Sequence, residues 1–282
     1  MKQIVIISGK GGTGKTVLTA SLAVLSKNKV MADCDVDAAD LHLLLKPEIR
    51  ERHEFRSGVT AKINRDLCEE CGECMNVCRF DAISGDFHVD PISCEGCTVC
   101  SLVCPAGAIT MEENVSGEWF ISETKYGPMV HARLGIAEEN SGKLVSLVRQ
   151  EAKRIADEAH KDYVIIDGPP GIGCPVIASL ANVDLALIVT EPTLSGIHDM
   201  ERITDVSKHF NVPTKVVINK YDLNEKNSEK IESICDVKGM EVLARLPFSQ
   251  KVSESIVKGI PLVEFCNDGI VRDIAHLWEK IQ

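Results

Sequence analysis

Apolar positions along this chain follow two rhythms. Lys2–Ser8 is rich in apolar β-branched residues and reads as a strand, and Val30–Asp33 as a second. Between them, Thr16–Ser26 carries helical spacing, and Asp40–Leu45 makes a short amphipathic turn. Pro47 and the charged stretch Glu48–Arg56 then break the pattern. Further on, Glu118–Glu123 and Met129–Leu134 read as two strands or a hairpin, and Ser141–His160 as a helix. Strand and helix alternate from there. The strands are Tyr163–Ile166, Leu185–Thr190, Lys215–Asn219 and Glu241–Leu246. The helices are Ser195–His209, Glu225–Cys235, Ser249–Lys258 and Asp268–Ile281. Continuous apolar strands between amphipathic helices predict an α/β fold with a mostly parallel sheet covered on both faces.

The segment Val59–Met111 lies outside this rhythm and contains an internal duplication. Cys68, Cys71, Cys74 and Cys78 recur as Cys94, Cys97, Cys100 and Cys104 at one constant offset, and Pro105 follows the second run. Flanking residues repeat too: Ile63–Cys68 matches Val89–Cys94, and Asp81–Ser84 matches Gly107–Thr110. Each run reads C-x2-C-x2-C-x3-C. That spacing resembles the bacterial ferredoxin pattern for two [4Fe-4S] clusters, in which the fourth cysteine of each run serves the other cluster. Cys68, Cys71, Cys74 and Cys104 are therefore expected at one cluster, and Cys78, Cys94, Cys97 and Cys100 at the other. Zinc is the competing metal. Arg79 stands where a proline often follows the fourth cysteine. So short a segment has little apolar core of its own, so bound clusters are expected to hold it together. The expected division is residues 1–57 and 112–282 as one discontinuous domain, with 58–111 inserted.

Composition narrows the setting. Twelve cysteines without a visible export signal predict metal binding in a reducing, cytoplasmic compartment. A net charge of −11 argues against sequence-independent nucleic-acid binding. No apolar stretch is long enough for a membrane span. Cys34, Cys235 and Cys266 read as small buried hydrophobes. His42, His88, His131 and His198 are isolated and read as surface or packing residues.

The chemistry begins after the first strand. Gly9-x4-Gly14-Lys15-Thr16 sits between a strand and a helix, the context a phosphate-binding loop requires. Backbone N–H groups of Gly11, Gly12, Thr13 and Gly14 wrap phosphates there, and the helix N-terminus adds positive potential. Lys15 is expected at the β/γ-phosphates and the Thr16 hydroxyl at Mg2+. Tyr163–Asp167 is an apolar strand ending in a carboxylate, suited to hold Mg2+. Gly168-Pro169-Pro170-Gly171 follows it. Asp33 and Asp35 end the second strand and could meet the same metal and the attacking water, or cap the following turn.

Lys10-Gly11-Gly12-Thr13-Gly14-Lys15-Thr16 resembles the deviant Walker A motif of the MinD/ParA family, P-loop ATPases of the SIMIBI type that include the nitrogenase iron protein and Mrp-type scaffolds. Asp33-Cys34-Asp35 resembles the family's first switch and Asp167–Gly171 its second. Asn219-Lys220 resembles the adenine-recognition position. Leu246-Pro247-Phe248, followed by Gly259-Ile260-Pro261-Leu262, resembles the loop that closes over the base. The whole resembles MinD-superfamily ATPases carrying an inserted ferredoxin domain. The resemblance implies catalytic roles for Lys10, Lys15, Asp35 and Asp167. It implies an ATP-bound homodimer in which Lys10 reaches the partner's nucleotide, and a resting place for Lys10 near Ser195 and Asp199, for which a helix N-cap and a surface acid are the other readings. It also implies ATP binding coupled to electron transfer to, or metallocluster maturation of, a metalloprotein or redox partner. A cluster scaffold or carrier, a positioning ATPase with a redox-sensing insert, and an amidoligase-type synthetase are the alternatives. The short C-terminal helix has too little basic character for a membrane-targeting anchor. Cys174 stands where the nitrogenase iron protein has a bridging-cluster ligand, but no second cysteine accompanies it; a packed or interface thiol is the other reading.

Overall fold

The computed structural model describes residues 1–135 and 141–282. The chain divides into two compact units. The first comprises Met1–His53, Trp119–Arg133 and Ser141–Gln282; the second is Glu54–Glu118 with Leu134 and Gly135.

The first unit opens with β1 (Lys2–Ser8), α1 (Lys15–Leu25), β2 (Lys29–Asp33) and α2 (Leu41–Leu45). The chain then runs through β3 (Glu48–Ile63), whose residues beyond His53 belong to the second unit. In the second unit lie α3 (Glu73–Val77) and α4 (Val99–Val103); β4 (Ile109–Thr124) rejoins the first unit from Trp119. Next come β5 (Gly127–Leu134), α5 (Ser141–Glu158), β6 (Tyr163–Pro170), α6 (Cys174–Leu180) and β7 (Leu185–Thr190). The chain ends with α7 (Leu194–His209), β8 (Thr214–Asn219), α8 (Glu225–Lys238), β9 (Glu241–Leu246), α9 (Gln250–Lys258), α10 (Leu262–Phe265) and α11 (Gly269–Ile281).

The sheet order is β3-β4-β5-β2-β6-β1-β7-β8-β9, and the strands from β5 to β9 in this order pair in parallel. Ile4–Ile7, Val164–Ile166 and Leu185–Ile188 are almost completely buried, as strands covered on both faces require. α1 buries Leu18, Leu22 and Ala23 against this sheet, and α11 contributes Ile274, Leu277 and Trp278 to the same core. Register then decides chemistry. Asp33 pairs with Asp167 across β2 and β6, so two carboxylates sit side by side at the C-terminal edge of the sheet. Ligands of open parallel sheets bind at that edge.

The charged stretch Glu48–Arg56, where the strand–helix rhythm is interrupted, forms the first half of β3 at the sheet edge, and the division between the two units falls within it. Charges suit an edge strand, which has an unpaired side that must not recruit another chain. They also pair two residues apart along the strand, as Glu48–Arg50, Glu51–His53 and Glu54–Arg56 do.

His131 is the one buried histidine of the four considered; His42, His88 and His198 are exposed. It shares a 2.9 Å hydrogen bond with the Ser122 hydroxyl and stacks on Phe120. Burial, with a small contribution from His42, lowers its pKa from 6.5 to about 4. Below pH 6.5 the unfolded chain therefore takes up a proton that the folded chain refuses, and stability falls as pH drops toward 4. Between pH 6.5 and 5 this costs about 2 kcal/mol. Chemical denaturation at pH 7.5 and pH 5 is expected to show that loss in the parent chain and its absence in His131→Gln.

Candidate nucleotide site

The loop after β1 is shaped by close approaches that only glycine allows. A Cβ on Gly9 would meet Asp199 Cβ at 2.1 Å, and one on Gly14 would meet Asn219 Nδ2 at 2.4 Å. Gly14 also has φ +92°, a left-handed conformation costly for other residues, and caps α1 from there. The loop is braced from across the sheet: Asn219 Nδ2 donates to Thr13 O at 2.7 Å, and Lys220 Nζ donates to Gly12 O at 3.0 Å.

Gly11–Thr16 line a cavity of about 460 Å3, within the usual range for small-ligand sites. Asp35, Pro170, Asn219 and Pro247 line it as well. Phe248, Val252 and Ile256 add an apolar wall. Gly259, Ile260 and Pro261 do not: they line a separate cavity with Lys46 and Tyr126. Of the two stretches expected over a base, the structure brings only Pro247 and Phe248 to this cavity.

Lys15 is buried behind the loop, with Nζ 3.1 Å from Asp167 Oδ1 and 3.3 Å from Asp35 Oδ2. Burial opposes its charge, but Asp167, Asp35 and Asp33 outweigh that and hold its pKa above the ordinary value. Thr19, one turn along α1, donates to Asp167 Oδ1 at 2.9 Å. Asp167 Oδ2 and Thr13 Oγ1 are buried without a hydrogen-bond partner. A buried acceptor left open beside a phosphate-type loop fits a hydrated cation and a triphosphate. Asp33 has a different place. Its carboxylate is fully buried and accepts from the Asp35 and Leu41 N–H groups at 3.2 Å each. Burial and the neighbouring Asp167 charge push its pKa well up. It caps the turn into α2, while Asp35 reaches the cavity.

Lys10 points away from the cavity. Its Nζ meets Glu191 at 2.7 Å, Ser195 Oγ at 3.0 Å and Thr193 Oγ1 at 3.1 Å. Asp199 instead packs on Gly9 and lies 3.6 Å from His198. Glu191 also takes Lys220 at 3.0 Å. Burial favours its neutral form, yet the hydrogen bonds from Lys10 and Lys220 keep its pKa low. Sequence reasoning missed Glu191 and Thr19. A carboxylate directly after the apolar strand β7 was the available signal for the first, and helical spacing from Lys15 for the second.

The second unit repeats itself in its backbone. The matched pairs Glu70/Gly96, Gly72/Thr98 and Asp81/Gly107 all have positive φ, between 50° and 81°. α3 and α4 are a further matched pair. Two small cavities result. Cys68, Cys71, Cys74 and Cys104 line one; Cys78, Cys94, Cys97 and Cys100 line the other. Each takes three cysteines from one run and the fourth from the other. Among the described residues, no three His, Cys, Asp or Glu side chains converge as on one metal ion. Four thiols line each cavity, with Ala108 N–H donating to Cys104 Sγ at 3.3 Å, a donor set suited to an all-thiolate metal group. Of the remaining cysteines, Cys34 and Cys235 are buried, Cys266 is half-buried, and Cys174 is exposed at the start of α6, which excludes a packed thiol there.

The sequence model for the CobQ/CobB/MinD/ParA nucleotide-binding domain matches residues 4–262. The chain belongs to this family. An uncharacterized protein of Methanocaldococcus jannaschii is 38% identical over 99% of this chain and 96% of its own length. The chloroplastic septum site-determining protein MinD homologue of Arabidopsis thaliana is 25% identical over 92% of this chain and 68% of its own. Among solved structures, MinD of Pyrococcus horikoshii complexed with Mg-ADP superposes with a TM-score of 0.64 at 19% identity, covering 100% of this chain and 96% of that one. The fold is that of a MinD/ParA-type P-loop ATPase, and the chain is a nucleotide-binding ATPase of this kind. Among the described residues no helix is long and apolar enough to cross a membrane.

Proposed function

We propose that this ATPase couples an ATP-driven homodimer cycle to electron transfer to, or metallocluster maturation of, a metalloprotein partner, using two [4Fe-4S] clusters in residues 58–111. The observation that carries the reading is the pair of four-cysteine cavities, each completed by a cysteine of the other run. Cys68, Cys71, Cys74 and Cys104 would hold one cluster, and Cys78, Cys94, Cys97 and Cys100 the other. Such clusters supply one-electron chemistry. The protein's part is to bury Cys74 and Cys100 and to orient the thiols from two short matched helices.

At the nucleotide site, Gly11–Gly14 offer backbone donors to the phosphates. Lys15 neutralises them, Thr16, Asp35 and Asp167 serve Mg2+, and Asn219 with Pro247 receives the adenine. Mg2+ supplies charge neutralisation on the phosphates. Lys10 is the residue proposed to sense the partner. Its ion pair with Glu191 holds it within its own chain, and release from Glu191 would let it reach across a dimer. Hydrolysis then reopens the dimer, because ATP and ADP differ in the contacts each state offers.

Lys10→Ala is expected to bind ATP and yet remain monomeric in sedimentation, whereas the parent chain dimerises with ATP. Equal dimerisation of both would remove Lys10 from the bridge. The coupling is tested anaerobically by measuring cluster potential and partner affinity in ATP and ADP. No difference in either would end it. The MinD names among the relatives favour a second reading, a positioning ATPase in which the cysteine-rich segment senses redox state.

A further inference from the structure

The two halves of the second unit share a backbone but differ in what they show to solvent. Ile92 and Leu102 are 80% and 81% exposed, and Val99, Val103 and Phe80 are exposed as well. Val99, Leu102 and Val103 have the i, i+3, i+4 spacing that puts them on one face of α4. Val99 and Phe80 also line the cavity of Cys78, Cys94, Cys97 and Cys100. At the matched positions of the other half stand Asp66 for Ile92, Glu73 for Val99, Asn76 for Leu102 and Ala106 for Phe80, while Val103 is matched by Val77. Leu67 is the exposed large apolar residue on that side. A duplication that keeps eight cysteines and three left-handed backbone pairs, yet replaces Asp66, Glu73 and Asn76 by exposed Ile92, Val99 and Leu102, marks the more apolar half as used.

Charge says by what. Glu54–Glu118 carry twelve carboxylates against four lysines and arginines, a net −8 of the chain's −11. A second copy of this segment, or an anionic membrane surface, would be repelled. A protein with an apolar centre and a basic rim would be steered in. We infer that the face formed by Phe80, Ile92, Val99, Leu102 and Val103 docks a basic-rimmed one-electron redox protein over the cavity of Cys78, Cys94, Cys97 and Cys100. The inference rests on the cluster reading above and adds which half meets the partner.

The test uses anaerobically purified holoprotein and ferric cytochrome c, a lysine-rimmed haem protein, in calorimetric titrations at low and high salt. The triple variant Ile92→Asp, Val99→Glu, Leu102→Asn writes the first half's residues onto the second. Ile92 and Leu102 are exposed and line neither cavity, whereas Val99 lines one, so the double variant Ile92→Asp, Leu102→Asn, whose iron content and visible absorbance should match the parent, is titrated alongside and is expected to weaken binding in the same direction. Added carboxylates alone would strengthen attraction to a basic probe, so weakening isolates the apolar face. Affinity at low salt is expected to fall about tenfold or more, which corresponds to about 1.4 kcal/mol. The control Asp66→Asn, Glu73→Gln should change it less than threefold. Unchanged or tighter binding by the triple variant overturns the docking face, as does equal weakening in the control. Self-association of the parent chain that the triple variant abolishes overturns the choice of partner. A colourless parent chain without iron overturns the cluster reading instead.

Discussion

Lys15→Met is expected to lose ATP binding and to lower stability by about 3–5 kcal/mol, the cost of leaving buried charge without its partner. Lys15 sits buried between Asp167 and Asp35 in the folded chain, and Asp33 adds its charge to theirs. Removing the ammonium leaves carboxylates in a dry site that can only take up protons or unfold. Two companion measurements separate this from simple loss of packing. Lys15→Met should recover stability as pH falls, because protonation removes the repulsion. The double variant Lys15→Met, Asp167→Asn should recover much of the loss at neutral pH, a coupling typical of groups in one network. Neither variant should bind ATP. If Lys15→Met denatures at the parent's midpoint at neutral pH, the carboxylates are not held by this lysine.

Cys104→Ser is expected to lower iron from about eight to about four per chain, although Cys104 belongs to the second cysteine run. It lines the cavity of Cys68, Cys71 and Cys74, and its sulfur accepts the Ala108 N–H. Cys78→Ser should likewise remove the other four. The stability cost should be large for so small a unit. Its apolar core is little more than Ala61, Cys74, Ile83, Cys100 and Ile109 with a few half-buried neighbours, so the proposed clusters would contribute folding energy. Anaerobic iron and sulfide analysis with visible absorbance checks both variants. Two zinc ions in a colourless parent chain would end the cluster reading, and loss of all iron from Cys104→Ser would end the independence of the two sites.

Local signals carried far. Strands Leu185–Thr190 and Glu241–Leu246 are bounded in the structure as their apolar runs imply. Where reading failed, a local rule met a tertiary exception. Glu48–Arg56 interrupts the apolar rhythm, which assigns it no element, yet a sheet edge accepts its charges as strand. Helix α6 has no counterpart among the elements the periodicity predicts; it is one short stretch of seven residues with Pro175 in its first turn, where proline is tolerated.

The sequence by itself determined the parallel α/β order, the glycine loop, and the duplicated cysteine spacing. Each is written in residues close together in the chain, where periodicity and steric freedom act directly. The tertiary structure decided which groups meet. Lys15 and Asp167 are 152 positions apart, and only the register of β2 and β6 sets Asp33 beside Asp167 while leaving Asp35 to reach the cavity. Glu191 became the holder of Lys10 because β7 and the glycine loop end at the same sheet edge. The unequal faces of the two matched halves became visible only once burial separated apolar residues that pack from those that face water. Spacing names the groups available for chemistry. Register and burial choose their partners, because charge and contact act through space.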